Sequence, residues 1–402
     1  MTRLLPLTSV MTTATAFAAL CAGAGVANAA DGFTQNNLIS NMPGLAATTA
    51  SNLVNPWGVS FANGSPVWIS DQGTQTSPLF AVTGSTGVGN APLFTVNIPP
   101  AGAAGPTGQV ANAMGMGFDV NNGGNGKSAN FIFANLNGSI AAWNGGAVNG
   151  VPTTTQAFTQ VTQGTVPGAS FTGLAINSAD TELFAANTTG GTIDAFNNQF
   201  QLTSTNAFVA PTAVSSAGLV PFNVTDLGGN VFVTYAPSGH IPQTMATAGQ
   251  GAVVEFSESG GLEKTIMNNA LASPWGVAIA PSSFGQFGGD LLVGNFSFVP
   301  GVADMINAFN PVTDALVGSI EVNPGAGNTP GGLWSIVFGG SGGDGNPDTL
   351  FFTDGINGET GGLFGSLTAA VPEPSTWAMM LAGFGGLALL AARRRGSLSA
   401  IG

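Results

Sequence analysis

Cysteine, histidine and tyrosine occur once each in the 402 residues, and lysine only at Lys127 and Lys264. Cys21 lies in an N-terminal apolar stretch, so no disulfide staples the chain and its stability must come from packing. The residues before it, Ala18-Ala19-Leu20, lack the small residue that precedes a lipid-modified cysteine. With one histidine and one cysteine there is no cluster for zinc. His240 has no partner that the sequence identifies. Between residues 31 and 370 the two lysines face 18 acidic residues, a net charge of −16. Nucleic acid and anionic lipid both need a basic surface, so neither is expected as a partner. Divalent cations and neutral sugars remain open.

What is abundant is glycine (61) and proline (24), in a chain that is 44% hydrophobic and 6% charged. That apolar content excludes a disordered chain, and many short apolar runs between turn residues point to an all-β fold. One heptapeptide occurs twice, Asn55-Pro56-Trp57-Gly58-Val59-Ser60-Phe61 and Ser273-Pro274-Trp275-Gly276-Val277-Ala278-Ile279. Weaker copies read Met114-Gly115-Met116-Gly117-Phe118, Thr172-Gly173-Leu174-Ala175-Ile176, Pro221-Phe222-Asn223-Val224 and Trp334-Ser335-Ile336-Val337-Phe338. Taking positions 58, 115, 173, 223, 276 and 335 as equivalent gives intervals of 57, 58, 50, 53 and 59 residues. A period in the fifties is that of a propeller or solenoid. The glycines allow close backbone approach and permit φ > 0, which Asn223 tolerates as well.

After each copy comes a second apolar run that ends at Asp71, Asn135, Asn187, Tyr235, Asn295 or Asp354. A turn and a third run follow, as in Gly191-Thr192-Ile193-Asp194-Ala195-Phe196. The pattern of apolar run, Asp or Asn, turn, then Gly-x-Ile-x-x-aromatic resembles the NHL repeat and six-bladed propellers of the SMP-30 and gluconolactonase type. The resemblance spans residues 50 to 367 and implies a six-bladed β-propeller over residues 31–370. Departures are Tyr235 in blade four and insertions around residues 237–250 and 296–303. The sixth unit has only three clear strands, and residues 33–40 are expected to supply its outer strand and close the ring.

The two ends carry address signals. Arg3, an apolar stretch over residues 10–26 and the small-x-small site Ala27-Asn28-Ala29 read as a signal peptide spanning residues 1–29. At the other end Pro372-Glu373-Pro374 precedes an uncharged run from residue 375 to 392, then Arg393-Arg394-Arg395. As a helix the run is about 27 Å long, enough for a bilayer core, with the arginines held in the cytoplasm. Residues 371–395 resemble the PEP-CTERM sorting signal of Gram-negative bacteria, and the whole chain is similar to uncharacterised PEP-CTERM propeller-like proteins. The resemblance implies a transmembrane sorting helix, an exosortase as partner and cleavage near Pro372–Pro374. It places the protein at the cell surface among exopolysaccharides, with membrane contact only before processing.

In a propeller the lead-in to the innermost strand and the end of the second strand open on one face. The expected ligand-binding set at that channel mouth is Trp57, Asp71, Asn135, Asn187, Phe222, Trp275, Asn295, Trp334 and Asp354, with Met114 and Tyr235 nearby. Aromatics stack on sugars, and carboxylate and amide oxygens suit Ca²⁺. The competing reading is structural: repeated Asp or Asn locks a turn, and repeated aromatics fill gaps between blades. Asp344-Gly345-Asn346-Pro347-Asp348 opens like a Ca²⁺ loop but lacks its later Gly and Glu, which favours a plain turn there. No catalytic residue stands out. The leading function is a surface propeller binding an extracellular glycan or protein of the biofilm matrix. The alternatives are a metal-dependent, lactonase-like hydrolase and a structural matrix scaffold.

Overall fold

Apolar runs of four to six residues between Gly, Asn and Asp are too short for helices, so they pair as strands. The computed structural model describes residues 32–370, apart from 63, 90–91, 101–104, 146, 149–150 and 153, and also residues 379–387. Thr34–Ala370 forms one compact unit. Within it the strands build six sheets of four main strands each. The innermost strands are Pro56–Ser60, Pro106–Ala111, Phe171–Ile176, Leu219–Leu227, Pro274–Ile279 and Leu333–Phe338. Each packs beside the next, and Leu333–Phe338 returns to Pro56–Ser60, so the sheets close as a six-bladed propeller. Phe33–Ser40 lies beside Leu363–Ala369 as the outer strand of blade six. The Ser40 hydroxyl donates to the Gly362 carbonyl at 2.7 Å across 322 residues of sequence.

The core is divided between blade seams. Trp68 of blade one stacks on Phe131 of blade two with ring centroids 4.1 Å apart. Phe184, Phe208, Val231 and Phe256 fill the seam of blades three and four. Leu38, Ile39, Ile69 and Phe364 fill that of blades six and one. Burying one such side chain stabilises the fold by roughly 1.5–3 kcal/mol.

Every innermost strand breaks register at the heptapeptide position. The shifts fall between Pro56 and Val59, Phe171 and Gly173, Pro221 and Asn223, Pro274 and Val277, and Leu333 and Ile336. In blade two the shift is seen on the partner strand, between Phe133 and Asn135. A bulge adds a residue and re-aims its neighbours. Here it turns the aromatics of blades one, four, five and six toward the ring axis, where they meet.

Two sequence expectations are corrected. The innermost strand of blade two is Pro106–Ala111, not residues 114–118, so the repeat glycine is Gly108. Gly108 lies 50 residues after Gly58 and 65 before Gly173. Gly115 and Gly117 belong to the following turn, with φ of 61° and 64°. Secondly, Gly58, Gly108, Gly173 and Gly276 do not adopt positive φ; it is Asn55 and Ser273, three residues ahead of Gly58 and Gly276, that do, at 50° and 48°. What the glycines supply is proximity. A Cβ on Gly58 would stand 2.6 Å from the Thr107 carbonyl oxygen, and one on Gly276 would stand 2.3 Å from that of Trp334.

In the second unit, Met1–Phe33 with Val371–Gly402, residues 379–387 are helical. Among the described residues no helix is long and apolar enough to cross a membrane. The expected signal peptide with Ala27 and Ala29 lies outside the described residues, as do Pro372, Glu373, Pro374 and Arg393 to Arg395.

Candidate functional site

The ends of the second strands are buried, and most of their polar side chains hold turns. Asp71 Oδ1 accepts the Val54 amide at 2.7 Å, and burial pushes this carboxyl well above its usual range. Asn187 Oδ1 accepts the Ser170 and Gly190 amides at 3.3 and 2.9 Å, while its Nδ2 donates to Asp194. Asn295 Oδ1 accepts the Ala272 amide at 3.1 Å, and its Nδ2 donates to the Ala270 and Val302 carbonyls. Asn135 Nδ2 donates to the Pro99 carbonyl and to Ser139. Tyr235 packs into the seam of blades three and four. These groups hold turns and fill seams, as short polar side chains do when they replace backbone partners, while Asp71 Oδ2, Asn135 Oδ1 and the Tyr235 hydroxyl stay buried without a partner. Asp344 likewise accepts the Ser341, Gly342 and Gly64 amides and closes a turn. Asp354 differs: both of its carboxylate oxygens are buried without a partner.

The structure does bring together Trp57, Phe222, Trp275 and Trp334, but as a plug. Trp57 and Trp334 stack with centroids 3.5 Å apart, and Trp275 meets both edge-on at 6.2 and 5.7 Å. Trp275 Nε1 donates to the Thr172 carbonyl at 2.9 Å, spanning the ring from blade five to blade three. Trp334 Nε1 donates to Asn55 Oδ1 at 3.0 Å. At 0–4% exposure none of the three is a free stacking platform. Met114, expected beside them, is exposed on the turn of blade two.

The blade-four and blade-five insertions fold over this plug. The first carries a short helix, His240–Thr244, and the second brings Phe296 to 4.2 Å from the Trp334 ring. They bind each other: the Phe298 amide donates to the Thr244 carbonyl at 2.9 Å and the Ser297 hydroxyl to that of Ala246 at 2.6 Å. Between this roof and blades one to three lies a cavity of about 550 Å³. Asn55, Trp57, Gln72, Thr188, His240 and Glu359 are among the residues that line it. His240 Nε2 donates to Glu359 Oε2 at 2.9 Å, and Asn55 Nδ2 donates to Glu359 Oε1 at 3.1 Å. The hydrogen bond to Glu359 holds the His240 pKa above its ordinary value, against the opposing effect of burial. Two wall residues, Trp57 and Gln243, each carry a buried N–H donor without a partner, Nε1 and Nε2. The sequence signal for this site was the position of His240 in an insertion; its partner comes from a turn more than 100 residues away.

The plug separates the mouth from a second cavity of about 360 Å³ at the far end of the inner strands. Its walls are mainly apolar, with Gln109, Asn223, Thr225, Asp226 and Ser335 as polar exceptions. Asp226 accepts the Gly229 amide at 2.9 Å, and burial, with Glu258 adding to it, raises its pKa to about 6. Among the described residues no group of three or more His, Cys, Asp or Glu side chains is placed to hold a metal.

Residues 370–395 match the PEP-CTERM protein-sorting motif. The chain is thus a six-bladed β-propeller followed by a PEP-CTERM motif, which implies export, surface sorting and processing by an exosortase. It is 28% identical over 268 residues to an uncharacterized protein of Acanthamoeba polyphaga mimivirus. That alignment covers 65% of this chain and 64% of the viral protein's length. Among solved structures it is similar to a streptogramin B lyase, at a TM-score of 0.45 and 11% identity, covering 84% of this chain and 97% of the lyase. A protein of unknown function from Bacteroides thetaiotaomicron matches at a TM-score of 0.48 and 11% identity, over 84% of this chain and 76% of its own.

Proposed function

We propose that the protein is an exosortase-sorted surface propeller that binds a neutral, hydroxyl-rich ligand, a segment of extracellular polysaccharide, in the roofed mouth cavity. The observation that carries this reading is the pair of unpartnered buried donors, Trp57 Nε1 and Gln243 Nε2, on a wall rich in amides and hydroxyls. A buried donor without an acceptor costs roughly 1–3 kcal/mol, and a sugar hydroxyl would relieve it once a small side-chain shift opens the donor to the cavity. Strongly charged ligands fit poorly, because the only ionic groups lining the cavity, His240 and Glu359, already pair. The sorting motif supports a setting among matrix polysaccharides.

The test is titration of the exported protein with neutral cello-, manno- and malto-oligosaccharides, followed by tryptophan fluorescence. Saturable quenching is expected with at least one series. Gln72→Ala and Gln243→Ala should each weaken it about tenfold or more, the loss of one or two good hydrogen bonds, with little change in melting. Absence of saturable binding to all three series, or variants that bind like the parent, would overturn the reading.

The His240–Glu359 contact favours a second reading, an acid–base hydrolase of lactones or esters. Turnover in such a screen that His240→Gln abolishes would favour it over a pure binder.

A further inference from the structure

Two departures from the repeat meet at the seam of blades five and six. The first is Asp304. The residue immediately before the third strand is Gly191, Gly251 and Gly362 in blades three, four and six, Ser139 in blade two, and Gln75, itself at φ 60°, in blade one; none of these is an acid. Blade five has Asp304 there, at φ 52°, a left-handed conformation that costs an L-residue roughly 1–2 kcal/mol. Its side chain is not turned out to water: Asp304 is 1% exposed, and neither carboxylate oxygen has a partner.

The second departure is Asp354. Blades two, three and five place Asn135, Asn187 and Asn295 at this register, each donating its Nδ2 to a neighbour. Blade one places Asp71, whose Oδ1 accepts the Val54 amide. Asp354 is fully buried and receives no donor at either oxygen. The two acids belong to adjoining elements. Asp354 pairs with Leu333, and Leu333 packs on Gly294 at the end of the second strand of blade five. That strand is in turn paired with the strand that Asp304 begins. Burial raises both carboxyls, Asp304 to about 9 and Asp354 to about 7, and the Asp354 charge contributes to the shift at Asp304.

Four buried carboxylate oxygens at one seam have no partner among the described residues, whose only lysines are Lys127 and Lys264. Glycine and asparagine would serve the repeat without that cost, so turn geometry does not account for the acids. We propose that Asp304 and Asp354 bind a divalent, oxygen-seeking cation of the Ca²⁺ class that links blade five to blade six. Such a cation takes six to eight oxygens and accepts main-chain carbonyls and water alongside two carboxylates, whereas Mg²⁺ holds its own water more tightly. Outside the cell Ca²⁺ is available at the concentrations that weak extracellular sites use.

The experiment uses the exported protein, stripped with EDTA and titrated with CaCl₂ alone, with MgCl₂ in parallel. Binding by calorimetry should show a site for Ca²⁺. The melting midpoint should rise by several degrees once Ca²⁺ exceeds Kd about a hundredfold, because the folded state alone holds the site. Asp354→Asn and Asp304→Gly each install the residue that other blades carry, so both variants should fold. Each should weaken Ca²⁺ binding about tenfold or more and cut the midpoint shift at the same Ca²⁺ concentration to about half or less. A parent whose midpoint and calorimetric trace do not respond to Ca²⁺ would overturn the proposal. So would a response that both variants retain, which would place the cation elsewhere.

Discussion

At Gly108 an added Cβ would stand 2.2 Å from the Leu174 nitrogen and 2.7 Å from the Gly173 carbonyl carbon. Both are backbone atoms of the next blade, so no side-chain rotation relieves the clash. Gly108→Ala should cost about 1–3 kcal/mol by forcing two inner strands apart. Gly164→Ala, on an open turn with nothing within 4 Å, should stay within about 0.5 kcal/mol. Denaturant unfolding of the two variants checks the difference, and equal stabilities would refute the packing role. Gly108 was hard to see in the sequence because Thr107 stands where blades one and five carry tryptophan. The usable signal was Pro106-x-Gly108, which matches Pro56-x-Gly58 and Pro274-x-Gly276. The tryptophans themselves were legible as a set facing the axis. Their burial was not, since it depends on Phe222 and on Phe296 from an insertion with no counterpart in the repeat.

At the scale of elements, all six second strands could be read directly, because each is an apolar or β-branched run with a distinct last residue. The outer strand of blade six could be inferred only from a shortage: three strands where the others have four. Its removal makes a clear test. Without residues 32–41, Leu363–Ala369 becomes an unpaired edge, and the buried Leu38 and Ile39 no longer fill the seam of blades six and one. The truncated chain should melt lower and associate as concentration rises, since an open strand edge templates pairing with another chain. Size-exclusion and thermal melting measure this; a monomer with an unchanged midpoint would show that the strand is dispensable. The His240–Glu359 pair belongs to the same scale. It joins an insertion of blade four to a turn of blade six, a proximity set by ring closure that no local pattern records.

At the scale of the whole molecule, the motif over residues 370–395 adjoins the last strand of the propeller, Leu363–Ala369. The exported form should begin near Ala30 and lack everything beyond about Pro374, which its intact mass would show. A surface form still carrying Arg393 to Arg395 would refute processing by cleavage. The position of that last strand has a mechanical consequence. Leu363–Ala369 is not the edge of its blade: it is hydrogen-bonded to Leu350–Asp354 on one side and to Phe33–Ser40 on the other. A pull transmitted through the C-terminal tail therefore enters the fold at a strand gripped on both flanks. To extract it, a load must break two ladders, one of which holds the N-terminal strand in the blade. The ring is therefore expected to resist such a pull better than a blade whose last strand is a free edge.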